Sequence, residues 1–343
     1  MNSKLIEVSN LSLSYNKRTV AGINGVSFEV ATGECVSLIG PSGSGKTTTV
    51  KIIAEKLQGF KGEVKKFGEC SVAYVPQTTE LNTEKTVFQI LEDEILYVED
   101  NEKRANQVRT ALAQLNITNE INSTPKQISG GQRQRVIIAK ALVKNPTLIL
   151  LDEPFGHLDE RLRFDLMQEL FFLFKEKKIS VIWVTHETKE ALSFSDKVIA
   201  LNFGKVQQMG SPEEIYRNPK NMFVAQFFGQ TNLIAGKVIS SNESELLVKA
   251  FNKEILIPKH SSFNKNDNND VLLVIRPEDI EISNKCSNEG KVLNIFFKGD
   301  HYLVQIEETS GLSLWLKTPT RLDIADKLTY SINYSNVYCL DEI

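Results

Sequence analysis

The sequence has no long apolar segment: no run approaches the roughly 18–20 residues that a membrane-spanning helix needs. Residues 1–7 include an early acidic residue and no apolar core of a signal peptide. The four cysteines (Cys35, Cys70, Cys286 and Cys339) lie far apart without a CxxC pair, which argues against a metal site or disulfide framework and predicts reduced thiols. We therefore expect a cytoplasmic chain that reaches a membrane only through a partner.

The chain also lacks a large excess of charge of one sign. The formal net charge is −3, so the composition gives no reason to expect nucleic acid as a partner. The chain has 343 residues, 41% hydrophobic and 24% charged, as in soluble globular proteins, and this length suits two domains. Low-complexity tracts and long internal repeats are absent from the sequence.

The pattern along the chain divides it near residue 232. Apolar runs at 34–39, 147–151 and 180–185 predict buried strands, and residues 89–115 predict a helix between them. Continuous apolar strands that alternate with helices indicate a parallel sheet covered on both faces. From residue 233 onward alternating segments such as 312–317 predict a mostly β domain, a small barrel, with an exposed polar loop at 261–270.

A glycine-rich loop follows the first predicted buried strand. It fits the P-loop pattern at every required position, where glycines turn backbone N–H groups inward and the next helix offers its positive end to phosphates. Lys46 is expected to reach the β- and γ-phosphates of a nucleotide and Thr47 to bind Mg²⁺. The alternative is a flexible turn between strand and helix. The predicted ATP-binding residues here are Gly40, Pro41, Ser42, Gly43, Ser44, Gly45, Lys46, Thr47 and Thr48.

Two carboxylates, Asp152 and Glu153, end the apolar strand at 147–151. Asp152 is expected to hold Mg²⁺ through water, and Glu153 to polarise the attacking water as a general base. Two acids at a strand end are common by themselves. About 100 residues after a P-loop, they predict the second half of a nucleotide site.

Between the two motifs stands a signature segment, Ser129, Gly130, Gly131 and Gln132, preceded by Ile128. This segment resembles the signature of ABC ATPases, with Ile in place of the usual Leu; the alternative is a helix cap with Ser129 as N-cap. The resemblance implies that these residues hold the ATP of an opposite subunit.

The resemblance assigns further site residues. It implies that Gln77 contacts Mg²⁺, that His186 touches the γ-phosphate, that Asp159 in the D-loop lies at the subunit contact, and that adenine stacks on Tyr15. For Tyr15, simple packing in an N-terminal strand is the alternative. The family fold is an α/β P-loop NTPase (ABC ATPase) domain with helical and antiparallel β subdomains, here residues 1–232. A mostly β, OB-like barrel would follow at 233–343.

The C-terminal part is similar to solute importers of the maltose, spermidine, ferric-iron and sulfate type. This similarity rests on residues 210–227, Arg276-Pro277-Glu278-Asp279 and Gly290-Lys291-Val292, which look like the junction and the TOBE domain of that group. The resemblance implies ATP and Mg²⁺ as cofactors, a homodimer of ATPase subunits, membrane permease subunits and a solute-binding protein. It places the chain on the cytoplasmic face of the inner (plasma) membrane.

Rival functions remain open at the level of sequence. A repair ATPase is disfavoured because the roughly 105 residues between the two nucleotide motifs leave no room for long coiled coils, and a ribosome-acting one because only one P-loop is present. An exporter subunit, a sugar importer ATPase and an added regulatory binding role of the C-terminal domain are alternatives. The turn at residues 229–232 favours polyamine, ferric iron or inorganic anion as solute.

Overall fold

The structure is a computed structural model that describes residues 3–15, 22–156, 158–260, 263, 269–283 and 288–341. Residue 157 of the D-loop, Cys286 and most of the predicted loop at 261–270 lie outside the described residues. The chain divides into two compact units, Met1–Pro212 and Glu213–Ile343. The division into domains at residues 232/233 stays a prediction; the compact units divide earlier, because Arg276 binds carbonyls of residues 216–230 within the second unit.

The first unit alternates strands and helices. Its described strands are β1 (Lys4–Ser14), β2 (Gly22–Ala31), β3 (Cys35–Ile39), β4 (Lys61–Lys66), β5 (Val72–Val75), β6 (Leu148–Asp152), β7 (Ser180–Thr185), β8 (Lys197–Asn202) and β9 (Lys205–Gly210). Its described helices are α1 (Lys46–Ile53), α2 (Val87–Glu92), α3 (Asn101–Gln114), α4 (Gly130–Leu142), α5 (Glu160–Lys177) and α6 (Thr188–Ser193).

A six-stranded sheet in the order β5-β6-β7-β3-β8-β9 forms the centre of this unit. All its pairings are parallel except β8 with β9. Strands β3, β6 and β7 are buried along their whole length, as their continuous apolar runs predict. Because these three strands are neighbours and parallel, the loops after their carboxyl ends meet at one edge of the sheet.

Two further parts complete the first unit. An antiparallel sheet in the order β2-β1-β4 packs into the same core cluster as β3. The stretch 89–115 is mostly helical but is not one continuous helix: α2 ends at Glu92, a 3-10 turn covers Asp93–Ile95, and α3 begins after Asp100. The break is held by Asp100, which caps α3, and by Arg104, whose guanidinium donates to the Val98 carbonyl at 2.5 Å.

The second unit is mostly β, as predicted. Apart from α7 (Pro212–Arg217) and α8 (Met222–Phe227), it has two five-stranded sheets around one shared core. The sheets run β12-β11-β10-β13-β19 and β14-β18-β15-β16-β17. Their strands are β10 (Asn232–Ser241), β11 (Glu245–Ala250), β12 (Lys253–Pro258), β13 (Asp270–Ile275), β14 (Ile280–Ile282), β15 (Asn288–Phe297), β16 (Tyr302–Glu308), β17 (Ser313–Thr318), β18 (Lys327–Ile332) and β19 (Tyr338–Leu340).

Among the described residues, no helix is both long enough and apolar enough to cross a bilayer.

Candidate functional site

The glycine-rich loop joins the end of β3 to the start of α1, and its glycines pack closely against neighbouring residues. Gly45 has φ +102°, and a Cβ on it would lie 2.5 Å from Ile23 Cγ2. A Cβ on Gly40 would lie 2.1 Å from the Leu201 carbonyl oxygen. The Ser44 carbonyl accepts from the Gly204 N–H at 3.1 Å. Side chains are therefore excluded at Gly40 and Gly45 by both neighbours and backbone, as in a loop whose backbone approaches a phosphate closely.

Lys46 is buried, and its ammonium group bends back over the loop. Nζ donates to the carbonyls of Gly40 at 2.9 Å and Pro41 at 3.0 Å, and lies 3.9 Å from Glu153 Oε1. Burial lowers the pKa of the Lys46 ammonium, whereas the carboxylates of Glu153 and Asp152 raise it. The cation is thus already positioned at the loop that would receive phosphates.

Asp152 is the last residue of β6 and is almost fully buried. Its Oδ1 accepts from the Thr47 hydroxyl at 2.8 Å and its Oδ2 from the Tyr74 hydroxyl at 3.1 Å. Burial raises the pKa of the Asp152 carboxyl, and the hydrogen bonds from Thr47 and Tyr74 lower it. Tyr74 is a site residue that sequence reasoning missed; its place on β5, the strand next to β6, was the available signal.

Glu153 leaves the strand in a left-handed conformation, with φ +47°. Its Oε2 lies 3.4 Å from Gln77 Nε2 and 3.4 Å from His186 Nδ1. Non-glycine residues in this conformation are uncommon and cluster at functional sites. The structure therefore brings three of the predicted catalytic residues, Glu153, Gln77 and His186, together beside Lys46.

The loop offers a further sign that it fits an anion. The Ser44 hydroxyl is buried and has no hydrogen-bond partner within the described part of the chain. Buried polar atoms are almost always paired, so an orphan inside a phosphate-type loop fits a ligand that supplies the partner. The exclusion of Cβ atoms at Gly40 and Gly45 fits the same ligand.

A cation could be held where Thr47 and Asp152 already meet. A hydroxyl and a carboxylate oxygen are the donors that Mg²⁺ prefers, and Gln77 offers an amide oxygen nearby. Across the described ranges, no cluster of three or more His, Cys, Asp or Glu could hold a metal ion unaided. A cation here therefore needs substrate oxygens and water to complete its shell.

Tyr15 stands at the open side of the loop. Its ring is 54% exposed, and its hydroxyl lies 3.1 Å from the Thr48 hydroxyl in α1. An exposed ring fixed at its tip to the helix that follows the P-loop is available for stacking. The adenine contact stays a prediction.

The signature residues form the start of α4. Ser129 caps α4 in a reciprocal capping box with Gln132, at 3.2 Å and 2.8 Å, and Gln132 also donates to Glu120. Ser129 and Gly130 are exposed. Among the described residues, no hydrogen bond joins this segment to residues 40–48. Asp159 likewise acts as an N-cap, accepting from the Leu162 N–H at 3.0 Å at the start of α5.

The Arg-Pro-Glu-Asp segment has a structural role within the second unit. Arg276 is buried and donates to the carbonyls of Ala225 and Tyr216, each at 2.8 Å, while its guanidinium lies 4.1 Å from the centre of the Tyr216 ring. The Tyr216 hydroxyl donates to Glu278 at 2.6 Å. Burial, then Glu278, raises the pKa of Tyr216 to about 12. The motif ties α7 and α8 to the β strands of this unit.

Known proteins resemble this chain over most of its length. Residues 23–156 match the family model described as ABC transporter. The spermidine/putrescine import ATP-binding protein PotA of Spiroplasma citri is 34% identical to this chain over 358 aligned positions, covering 99% of this chain and 98% of its own. The protein of the same name from Clostridium acetobutylicum is 36% identical over 319 positions, covering 88% and 87%.

Solved structures resemble the first part of the chain. CbiO1 from Clostridium perfringens, part of the ABC transporter complex cbiONQ, has a TM-score of 0.57 at 25% identity and covers 62% of this chain and 90% of its own. The dimeric structure of MJ0796, a bacterial ABC transporter cassette, has a TM-score of 0.54 at 29% identity and covers 61% and 99%. The fold predicted from the sequence is confirmed.

Proposed function

Because this chain belongs to the family of ATP-binding subunits of ABC transporters, we propose that it hydrolyses ATP to drive the import of polyamines such as spermidine and putrescine. The chain is an importer-type ATPase of this family that binds ATP and works with membrane subunits. The observation that carries the catalytic part is the convergence of Lys46, Asp152, Glu153, Gln77 and His186 at one edge of the parallel sheet.

The loop and Lys46 bind the phosphates. Backbone N–H groups of the loop and the Ser44 hydroxyl donate to phosphate oxygens, and Lys46 exchanges its two carbonyl partners for β- and γ-phosphate oxygens. Tyr15 stacks on the adenine. Thr47, Asp152 and Gln77 would hold Mg²⁺, which supplies charge neutralisation at the phosphate oxygens.

Glu153 prepares the nucleophile. Its carboxylate accepts a proton from the attacking water and aligns that water with the γ-phosphorus. Gln77 and His186 flank Oε2, so they orient the carboxylate, and His186 also reaches the γ-phosphate. The left-handed backbone at Glu153 aims the side chain at this point instead of into the core.

A second copy completes the site. Ser129, Gly130, Gly131 and Gln132 are exposed or half-exposed and lie apart from their own P-loop, which supports a role on the ATP of the opposite subunit. Asp159 then lies at the subunit contact. Loss of the γ-phosphate removes this contact and opens the homodimer. The assembly includes permease subunits and a solute-binding protein and places this chain at the cytoplasmic face of the plasma membrane.

The polyamine assignment rests on the relatives. Two named for spermidine and putrescine import match almost the full length of this chain, including its second unit. The sequence similarity therefore extends over the C-terminal unit. This extent supports an importer over the exporter and non-transport alternatives.

The catalytic proposal is tested with Glu153→Gln in the full chain. We expect kcat for ATP to fall at least about 100-fold, as for loss of a general base, while MgATP produces a stable dimer by light scattering. Glu160→Gln, an exposed change on α5, is the matched control and keeps wild-type turnover. A Glu153→Gln chain that stays monomeric, or that hydrolyses ATP at the wild-type rate, refutes the shared-site mechanism.

The solute is tested in the native cell. We expect replacement of this chain by its Glu153→Gln form to abolish uptake of labelled spermidine, and unlabelled putrescine to compete with that uptake in the wild type. Sulfate and ferric iron uptake serve as controls. Unchanged spermidine uptake together with loss of sulfate or iron uptake would reassign the solute without touching the ATPase mechanism.

A further inference from the structure

Arg163 lies between two loops of the candidate site without touching the site itself. It belongs to the first turn of α5, immediately after the D-loop. Its Nη2 donates to the carbonyl of Leu158 in that loop at 3.4 Å. Its Nη1 donates to Glu190 Oε1 at 3.5 Å and lies 3.9 Å from Glu187 Oε1. One side chain thus contacts the D-loop and the segment that follows β7.

Glu190 carries that contact to the end of β7. Its other oxygen accepts from the Thr185 hydroxyl at 2.5 Å, and the same hydroxyl accepts from the Glu187 N–H at 3.0 Å. Thr185 is followed directly by His186, whose Nδ1 lies 3.4 Å from Glu153. A connected set of polar contacts therefore runs from the D-loop carbonyl to the catalytic carboxylate.

The two charged side chains of this set are largely buried. The side chains of Arg163 and Glu190 are 21% and 13% exposed, so neither charge is fully screened by water. Arg163 Nε is buried and has no hydrogen-bond partner in the described part of the chain. The guanidinium is therefore placed so that its two Nη atoms reach both loops, although its own Nε is left unpaired.

We propose that Arg163 is a positioning residue that couples the D-loop to His186 through Glu190 and Thr185. When a second subunit moves the D-loop, the Leu158 carbonyl shifts Arg163, and Arg163 transmits the shift to the segment that holds His186 beside Glu153. Hydrolysis then depends on closure of the dimer, and the Arg163 guanidinium transmits that dependence. The inference rests on the proposed ATPase mechanism and adds a residue that neither the motif pattern nor the family signature singles out.

The pH dependence of turnover distinguishes this role from a purely structural one. Burial raises the pKa of the Glu190 carboxyl, while the Thr185 hydrogen bond and Arg163 lower it. The charged groups that face Glu190 are Arg163 from α5 and, from the segment after β7, His186 and Glu187. The carboxylate is the form that binds Arg163. Removing Arg163 raises the Glu190 pKa further, so the carboxylate disappears at a higher pH and the acid limb of kcat moves upward.

The experiment compares full-length Arg163→Ala, Arg163→Lys and Glu190→Gln with wild type over pH 5.5–9. Arg161→Ala, an exposed arginine on the same helix turn, is the matched control. We expect Arg163→Ala to lower kcat about tenfold, the effect of losing about 1.4 kcal/mol of coupling, with KM for MgATP within about twofold because Lys46 and the loop are untouched. We expect Arg163→Lys to restore part of kcat, and Arg161→Ala to match wild type.

The double variant Arg163→Ala/Glu190→Gln separates coupling from simple damage. We expect it to be no slower than Arg163→Ala alone, and to lose the upward shift of the acid limb because the titrating carboxyl is gone. Additive losses in the double variant, or an unshifted acid limb in Arg163→Ala, overturn the proposal. If Arg163→Ala does not fold, Arg163→Lys and its combination with Glu190→Gln decide in the same way. A wild-type chain without ATPase activity would instead refute the proposed function.

Discussion

Replacing Arg276 by alanine is expected to destabilise the second unit strongly. The guanidinium is 3% exposed and makes two 2.8 Å bonds, to the carbonyls of Ala225 and Tyr216. Hydrogen bonds from a charged donor contribute about 1.5–3 kcal/mol each. The two short bonds together give about 3–6 kcal/mol, before the ring contact with Tyr216 is counted. The Ala225 carbonyl left behind lies at a buried contact and the Tyr216 carbonyl at a partly buried one.

The chain carries its own reporter for this measurement. It has two tryptophans, Trp183 in the first unit and Trp315 in the second. In a Trp183→Phe background, urea unfolding followed by Trp315 fluorescence reads the second unit alone. The matched control is Arg217→Ala, which removes a 42% exposed arginine paired with Asp279 at 3.5 Å. Asp279 is buried, but the arginine is solvent-exposed, so at this distance we expect its removal to cost about 1 kcal/mol.

The comparison decides whether the Arg-Pro-Glu-Asp motif is structural. Arg276→Ala should lower the free energy of unfolding several times more than Arg217→Ala. A loss for Arg276→Ala no larger than for Arg217→Ala would refute the assignment of a structural anchor. ATP hydrolysis at temperatures where the second unit remains folded should be unchanged, since the site lies in the first unit.

Gly45→Ala should weaken ATP binding at least about tenfold, because a Cβ would meet Ile23 at 2.5 Å and φ is +102°; fluorescent-nucleotide titration measures this, with Gly59→Ala, where nothing lies within 4 Å, as control. Equal affinity in both variants would contradict the steric argument. Burial raises the pKa of the Cys35 and Cys339 thiols to about 12, so both stay protonated at pH 8. Site-resolved alkylation should label the half-buried Cys70 before these two, which should react only after unfolding; fast native labelling of either would be inconsistent with burial.

The sequence was most informative where chemistry requires fixed residue types at fixed spacing. The P-loop, the Asp152–Glu153 pair and the signature could be located because each is a local pattern. The segments after β3, β6 and β7 meet because these strands are adjacent and the loops at their carboxyl ends share an edge; that strand order had no local signal in the sequence. The roles of individual site residues remain proposals.

Contacts that depend on neighbouring strands and helices could not be predicted from local patterns. Tyr74 reaches Asp152 only because β5 pairs with β6, and Arg163 reaches Glu190 only because α5 returns past the segment after β7. The break in the helix at 89–115 had a local signal, Asp100 as an N-cap. The Arg104 contact that holds the break spans a turn and had no such signal.

Tyr74→Phe tests whether the hydroxyl that sequence reasoning missed supports the nucleotide site. The change removes the donor to Asp152 Oδ2 and keeps the ring. Because burial raises the pKa of Asp152 and the Tyr74 bond lowers it, the variant has a higher Asp152 pKa. The carboxylate is the form that accepts from Thr47 and suits a cation, so it is lost at a higher pH as the solution is acidified.

The acid limb of the ATPase profile should therefore move to higher pH in Tyr74→Phe, while rates on the alkaline side, where Asp152 is ionised in both proteins, stay together. Tyr97→Phe, which alters a 71% exposed tyrosine, is the control and should match wild type. Superimposable profiles for Tyr74→Phe and wild type would mean that the Tyr74 hydrogen bond does not set the ionisation of Asp152. A shift confined to the alkaline limb would place the titrating group elsewhere, since loss of a donor to a carboxylate can act only on the acid side.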